Sequence, residues 1–257
     1  SGLGDVYKRQ EYTLREEIAP YGYLKATDVK FTLEDTAEIQ KVEMKDEVPT
    51  GLLIINKNGE FLDKVTLLDN VKGTVEHLFE YVTGSLTDVT FDVFAAEDIK
   101  AADGVSEDYF KADEKVGTIT TDSNGIAQMG DLPAGKYYVK EIATDEHYVL
   151  NGEKYLVNFE YMGQDIQTVS IDCGQFTNDL KRGKIEGIKV SESDEPLENA
   201  LFGLFYTDCT EFTEENAIMT AKSDKQGKFE FTEIPYGEYI AVSYTHLRAH
   251  ETLSDLV

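Results

Sequence analysis

Five residues recur at one fixed spacing, and that repeat limits the folds open to this chain more than any other feature. Asp122, Gly125, Pro133, Gly135 and Tyr137 are matched 102 positions later by Asp224, Gly227, Pro235, Gly237 and Tyr239. Turn-forming and aromatic residues held in register mark one structural unit used twice. A shorter correspondence runs at a shift of 132, where Asp46, Gly51 and Lys57 are matched by Asn178, Gly183 and Lys189. In both copies a strand ends, a glycine breaks the chain, and a lysine sits on the alternating strand that follows, so the stretch reads as a domain junction used twice. The difference between the two shifts leaves about thirty extra residues in the middle unit, placed between Gly59 and Leu86. The chain divides accordingly into residues 11–47, the closing part of a first module; 51–180, a complete module with an insertion near 59–86; and 183–242, the opening part of a third.

Local patterning agrees. Strand candidates in the middle module cover 52–57, 61–68, 88–95, 115–121, 125–129, 135–142, 154–162 and 166–177, all short, with Gly, Asn or Asp between them. That spacing signals an all-β sandwich or barrel. One piece dissents: Val75, Leu78, Phe79 and Val82 lie at helical spacing, so a short helix is predicted there. In the first module Tyr12, Leu14 and Glu16 share one strand face and Val29, Phe31 and Leu33 another. Ala19–Gly22 forms a turn between them, and 35–46 continues as one more strand. Asp122–Gly125 and Asp224–Gly227 read as hairpin turns. Residues 1–10 and 243–257 resemble translated sequencing-adapter sequence and are set aside from fold reasoning.

The net charge of −26, from 50 acidic against 24 basic residues, argues against nucleic acid, whose phosphates require clustered cations, and against anionic lipid. No run of 18 apolar residues and no signal-peptide pattern occurs, so an exported protein would be represented here by a fragment without its signal or anchor. Cys173 and Cys209 fall on opposite sides of the junction and imply no disulfide framework. His77 and His147 lie in unlike surroundings, the aspartate turns offer too few oxygens for calcium, and no phosphate loop or Ser-His-Asp set is present. Neither a metal nor another cofactor is expected.

The stretches LPAGKYYVKE, IPYGEYIAV, YTLREEIAPYGY and FTNDLKRGKIEGIKV together resemble the Cna B-type, or SpaA-like, prealbumin domains of Gram-positive surface adhesins and pilins, over about residues 11–242. The resemblance implies tandem prealbumin-like (Ig-like) β-sandwich modules, one complete and two partial. It also implies an intramolecular isopeptide bond, in which a first-strand lysine attacks an Asn or Asp on the last strand while a nearby acid moves protons. Lys57 matches the nucleophile of the middle module, Asn178 the acceptor and Glu141 the proton shuttle. In the first module Glu16 matches the acid and Asp46 the acceptor, the lysine lying upstream. In the third, Lys189 matches the lysine, but Ser243 falls where the acid should be and no acceptor strand follows. Where the family commonly has a Pro-x-Gly-Tyr turn this chain reads EIATDEHY, with Tyr148 keeping its place.

The chemistry gives its own reasons for these residue types. An amine attacks only when neutral, and an apolar core penalises charge on both the lysine and the carboxyl. The amide product is neutral and relieves two buried charges. Such a reaction is a single-turnover self-crosslink and not enzyme catalysis. The expected role is a cell-surface stalk segment whose partners are the neighbouring modules of the same chain. The alternative is an adhesin module that recognises a host protein or glycan through the insertion at 59–86. A transthyretin-like enzyme would need a catalytic cluster that the sequence lacks.

Overall fold

Short runs of alternating apolar and polar residues, punctuated by Gly, Asn and Asp, become strands throughout the structure, a computed structural model that describes residues 11–34, 38–69 and 75–244. In chain order they are β1 (Glu11–Leu14), β2 (Val29–Thr32), β3 (Thr50–Asp69), β4 (Val75–Ser85), β5 (Thr90–Ala95), β6 (Lys115–Thr120), β7 (Ile126–Leu132) and β8 (Gly135–Ala143). They continue as β9 (Lys154–Phe159), β10 (Thr168–Asn178), β11 (Arg182–Ile188), β12 (Leu201–Tyr206), β13 (Met219–Lys222), β14 (Lys228–Pro235) and β15 (Tyr239–Ser243), with one 3-10 turn at Glu214–Asn216. The chain forms two compact units. One comprises the residues up to Lys57 with Ser85–Thr144 and Leu150–Phe176; the other comprises Asn58–Gly84, Asp145–Val149 and the residues from Thr177 onward.

In the first unit, antiparallel strands in the order β6-β5-β8-β9 form one sheet, and β7 and β10 both pair with β3 in another. Period-2 alternation sends Leu53 and Ile55 of β3, Phe91, Val93 and Ala95 of β5, Tyr137 and Val139 of β8, and Val157 and Phe159 of β9 into one core. The β1–β2 ribbon pairs Tyr12 with Phe31, their rings stacked 5.7 Å apart. Pro20 accepts from the Tyr23 amide across a turn with Gly22 at φ 92°, one residue later than the sequence placed it. This segment is tied down by Gln164, which takes the Ala19 amide on its side chain and the Lys25 amide on its carbonyl. Two sequence expectations fail here. The strand of β1 ends at Leu14, leaving Glu16 beyond it, and 38–46 forms no strand, with 35–37 lying outside the described residues. Alternation in that stretch leaves Ile39 at 89% exposure; without a buried face or a ladder partner, period 2 does not make a strand.

In the second unit, the far half of β3 and β4 form a hairpin. Thr66 and Lys64 both reach Glu80 across it, at 2.8 and 3.3 Å. This hairpin replaces the helix predicted from Val75, Leu78, Phe79 and Val82. The four apolar residues do not form one stripe: Leu78 and Val82 point to one face and are about half exposed, while Phe79 belongs to the other. β-branched and aromatic side chains in VEHLFEYVTGS, paired with a neighbouring strand, override the helical spacing. The rest of the unit packs β11–β14 and β13-β12-β15 around Ala200, Phe202, Leu204, Phe231 and Ile234. Of the end segments set aside, 1–10 and 245–257 lie outside the described residues. Ser243 closes β15 against Phe202, and the Tyr244 amide donates to Leu201, so these first two residues of the set-aside segment belong to the folded module.

Candidate functional site

The alternation that buries Leu53 and Ile55 also carries Lys57 inward, and the alternation that buries Tyr137 and Val139 carries Glu141 inward. The two meet. Lys57 Nζ lies 2.8 Å from Glu141 Oε2, and neither side chain has any exposure. Phe91 stands opposite Glu141 in the β5–β8 register, with its ring centre 6.0 Å from Lys57 Nζ. Tyr155 is close enough to feel the carboxylate: burial raises its phenol pKa first, and Glu153 and Glu141 add to the shift. Such a pair sits where desolvation opposes both charges, and moving a single proton across the contact would remove them together.

The Lys57 backbone is fixed as firmly as its side chain. Its N–H donates to the Gly125 carbonyl at 2.7 Å and its carbonyl accepts from Leu86 at 2.9 Å. Gly125 has φ 74°, and a Cβ there would collide with the Lys57 carbonyl oxygen, so the glycine serves both a left-handed turn and a close approach. The Asp122 carboxylate completes the turn by accepting from the Asn124 and Ile126 amides. Asn178, the third residue of the expected set, closes β10 and is 1% exposed.

Lys189 occupies the matching position in the second unit. Its N–H donates to Gly227 at 2.7 Å, its carbonyl accepts from Leu197 at 2.9 Å, and Gly227 again has φ 74°. Tyr137 donates to the Pro133 carbonyl and Tyr239 to the Pro235 carbonyl, both at 2.7 Å, while Asp131 and Glu233 share φ 56°. Ser243 faces Phe202 across β12–β15 as Glu141 faces Phe91 across β5–β8. The repeated aspartate, the turn glycine, the proline and the tyrosine thus do the same physical work in each copy, whereas Gly135 has φ 152° and Gly237 is not left-handed, and Ser243 stands where the acid would be. In the first module Glu16 accepts the Ala26 amide at 2.8 Å. Asp46 is half-buried near Tyr23, whose phenol pKa is raised by burial first and then by Asp103, Tyr109 and Asp46.

Comparison with known families and structures bears on these observations directly. The model of the SpaA prealbumin-like fold domain matches residues 80–172 and 183–243, well over half of the chain. The chain belongs to the SpaA prealbumin-like family. Among solved structures, the Bacillus anthracis TIE protein is similar over 91% of this chain and 36% of its own, at 24% identity and a TM-score of 0.56. This chain therefore spans about a third of that protein's length. A streptococcal ancillary pilin is similar over 92% of this chain and 66% of its own, at 21% identity and TM-score 0.34. Shaft pilin SpaA from Lactobacillus rhamnosus GG is similar over 76% and 88%, at 16% identity and TM-score 0.31. No curated protein matches.

In this SpaA-like chain no group of three or more metal-ligating side chains comes together among the described residues. His147 bonds Asp145 at 2.6 Å, while the His77 side chain lies outside the described residues. The sequence reading missed Tyr155, which the alternation of KYLVNF could have placed with Val157 and Phe159 on the inner face. It also missed Glu60, whose partners lie about 120 residues away and leave no local signal.

Proposed function

We propose that this chain is a stalk segment of a Gram-positive surface adhesin or pilin, and that its middle module carries an isopeptide bond between Lys57 and Asn178, formed with Glu141 as proton shuttle. The observation that carries the reading is the Lys57–Glu141 contact of 2.8 Å with both side chains fully withdrawn from water. A proton passing from Lys57 Nζ to Glu141 leaves a neutral amine and a neutral acid, the forms an apolar core favours. Lys57 Nζ then attacks Asn178 Cγ. Glu141 donates a hydrogen bond to the amide oxygen as charge develops there, then passes its proton to the departing nitrogen, which leaves as ammonia, and takes up the second proton that the attacking nitrogen releases, ending as a neutral acid. One C–N bond forms, one breaks, and no oxidant, metal or second substrate enters.

The bond would join the strand that opens the module to the strand that closes it. A pulling force would then run through covalent bonds, sparing the hydrogen-bond ladder from shear. It would also close a loop of about 120 residues, worth on the order of 5 kcal/mol in the chain-entropy account. The family resemblance supports an extracellular, surface-attached setting with the neighbouring modules as partners. Intact mass is the test. The reading expects a deficit of about 17 Da, the mass of one ammonia lost in the amide exchange, together with a branched peptide joining residues 57 and 178. A full, undiminished mass would overturn it.

A further inference from the structure

Within the second unit, Glu60 lies at the base of the hairpin. Its Oε2 accepts the Leu180 amide at 3.1 Å and the Arg182 guanidinium at 2.9 Å. The same guanidinium lies over the Tyr81 ring of β4, 4.4 Å from its centre. Tyr148 donates to the Glu60 carbonyl at 2.9 Å, bridges to Leu180 through its backbone, and sets its ring edge-on to Phe61. Lys181 donates its amide to His147 and accepts the Tyr236 amide on its carbonyl. Residues 179–182, the lead-in to β11, are thus gripped by the hairpin, by 145–149 and by the turn at Tyr236.

We propose that the base of the hairpin, at Glu60, Phe61 and Tyr81, is a docking surface for the start of this chain's own third module, with the Glu60 carboxylate as the anchor that holds the start of β11. The chemistry fits one occupant. A single carboxylate satisfies a backbone N–H and a guanidinium side by side, and the aromatic face of Tyr81 takes the other side of the same cation. In a chain with 24 basic against 50 acidic residues, a cation committed to one carboxylate is a selective contact. The attachment is concentrated at this end. Farther along β4, Leu78 and Phe79 border an open groove of about 1330 Å³ shared with β11, β13 and β14. A host ligand at that base would have to displace Arg182.

Amide hydrogen exchange on the full chain tests this. Glu60→Gln keeps the side-chain shape and removes the charge. With the charged hydrogen bonds weakened and partly screened, exchange at Leu180 and through the start of β11 should quicken on the order of tenfold. Exchange in β5 should stay at its parental rate. Arg182→Ala should act in the same direction, and the double variant should add little to either single one. Unchanged exchange at 179–188 in both single variants would overturn the proposal. So would an equal rise in β5 and β11, which would assign Glu60 to general stability.

Discussion

Two lysines in this chain share a backbone setting and differ in what faces them. Lys57 and Lys189 each bond a left-handed glycine through the main chain, Lys57 within β3 and Lys189 just after β11, and each is accompanied by the same aspartate turn and the same tyrosine-to-proline contact. Lys57 meets a buried glutamate, whereas the corresponding strand position in the other module holds Ser243, and Lys189 is only half-buried. The fold therefore does not require the acid. The aspartate turn, its left-handed glycine and the tyrosine-to-proline contact are kept in both copies, and the group that would move a proton is present in one. That separation is what a site added to a scaffold looks like.

The largest break in this comparison should come from Glu141→Ala set against Ser243→Ala. Losing Glu141 would remove the carboxylate from a buried amine, costing about 3–5 kcal/mol, and on the proposed reading would also prevent the crosslink, so Tm should fall by roughly 20 °C or more. Ser243→Ala should move Tm by no more than about 2 °C. Thermal unfolding followed by circular dichroism checks both. Next comes the lysine pair itself. Lys57→Met gives a side chain that suits an apolar core but cannot form the bond. It should lower Tm by on the order of 10–20 °C and restore the missing ammonia mass, while Lys189→Met shifts Tm by about 2 °C or less. Equal protease resistance in Lys57→Met and parent would count against a crosslink.

Where the two copies are alike, they should respond alike. Gly125→Ala and Gly227→Ala each place a Cβ against a carbonyl oxygen in a left-handed turn, so each should cost about 1–3 kcal/mol, measurable by denaturant unfolding. A cost at Gly125 alone would mean that the matching backbone geometry hides different energetics. The smallest effect concerns Cys173, whose thiol is pushed up to about 11 by burial first and Asp172 second. At pH 8 it should alkylate about a hundredfold more slowly than an exposed thiol. The folded protein holds this proton more tightly than the unfolded chain. The stability it contributes is therefore full below about pH 9 and is lost as pH rises toward 11.

Much of this was legible before any coordinate. Alternation along LLIINK and KYYVKE places Lys57 and Glu141 on the faces that carry Leu53, Ile55, Tyr137 and Val139, so both had to point inward once those strands formed. The repeated Asp, Gly, Pro and Tyr were legible as turns because each acts through its own few neighbours. The failures share a cause. Helical spacing in 75–82 and alternation in 38–46 are both local signals, and each was settled by strand pairing: β4 pairs with β3, and 38–46 joins no strand ladder among the described residues. Glu60 escaped notice because Leu180 and Arg182 reach it only after the chain has folded back over about 120 residues.

The sequence by itself determined the all-β class and the repeated turn and strand unit, and it pointed to Lys57, Glu141 and Asn178 as the proposed crosslinking set, since period, turn chemistry and side-chain type are properties of neighbouring residues. Only the tertiary structure decided that Lys57 and Glu141 stand 2.8 Å apart without water, that the inserted segment is a hairpin, and that Glu60 grips the start of the third module. Those outcomes depend on which strands pair across large separations. Hydrogen-bond ladders and shared burial choose such pairings, and no local window of the chain contains them.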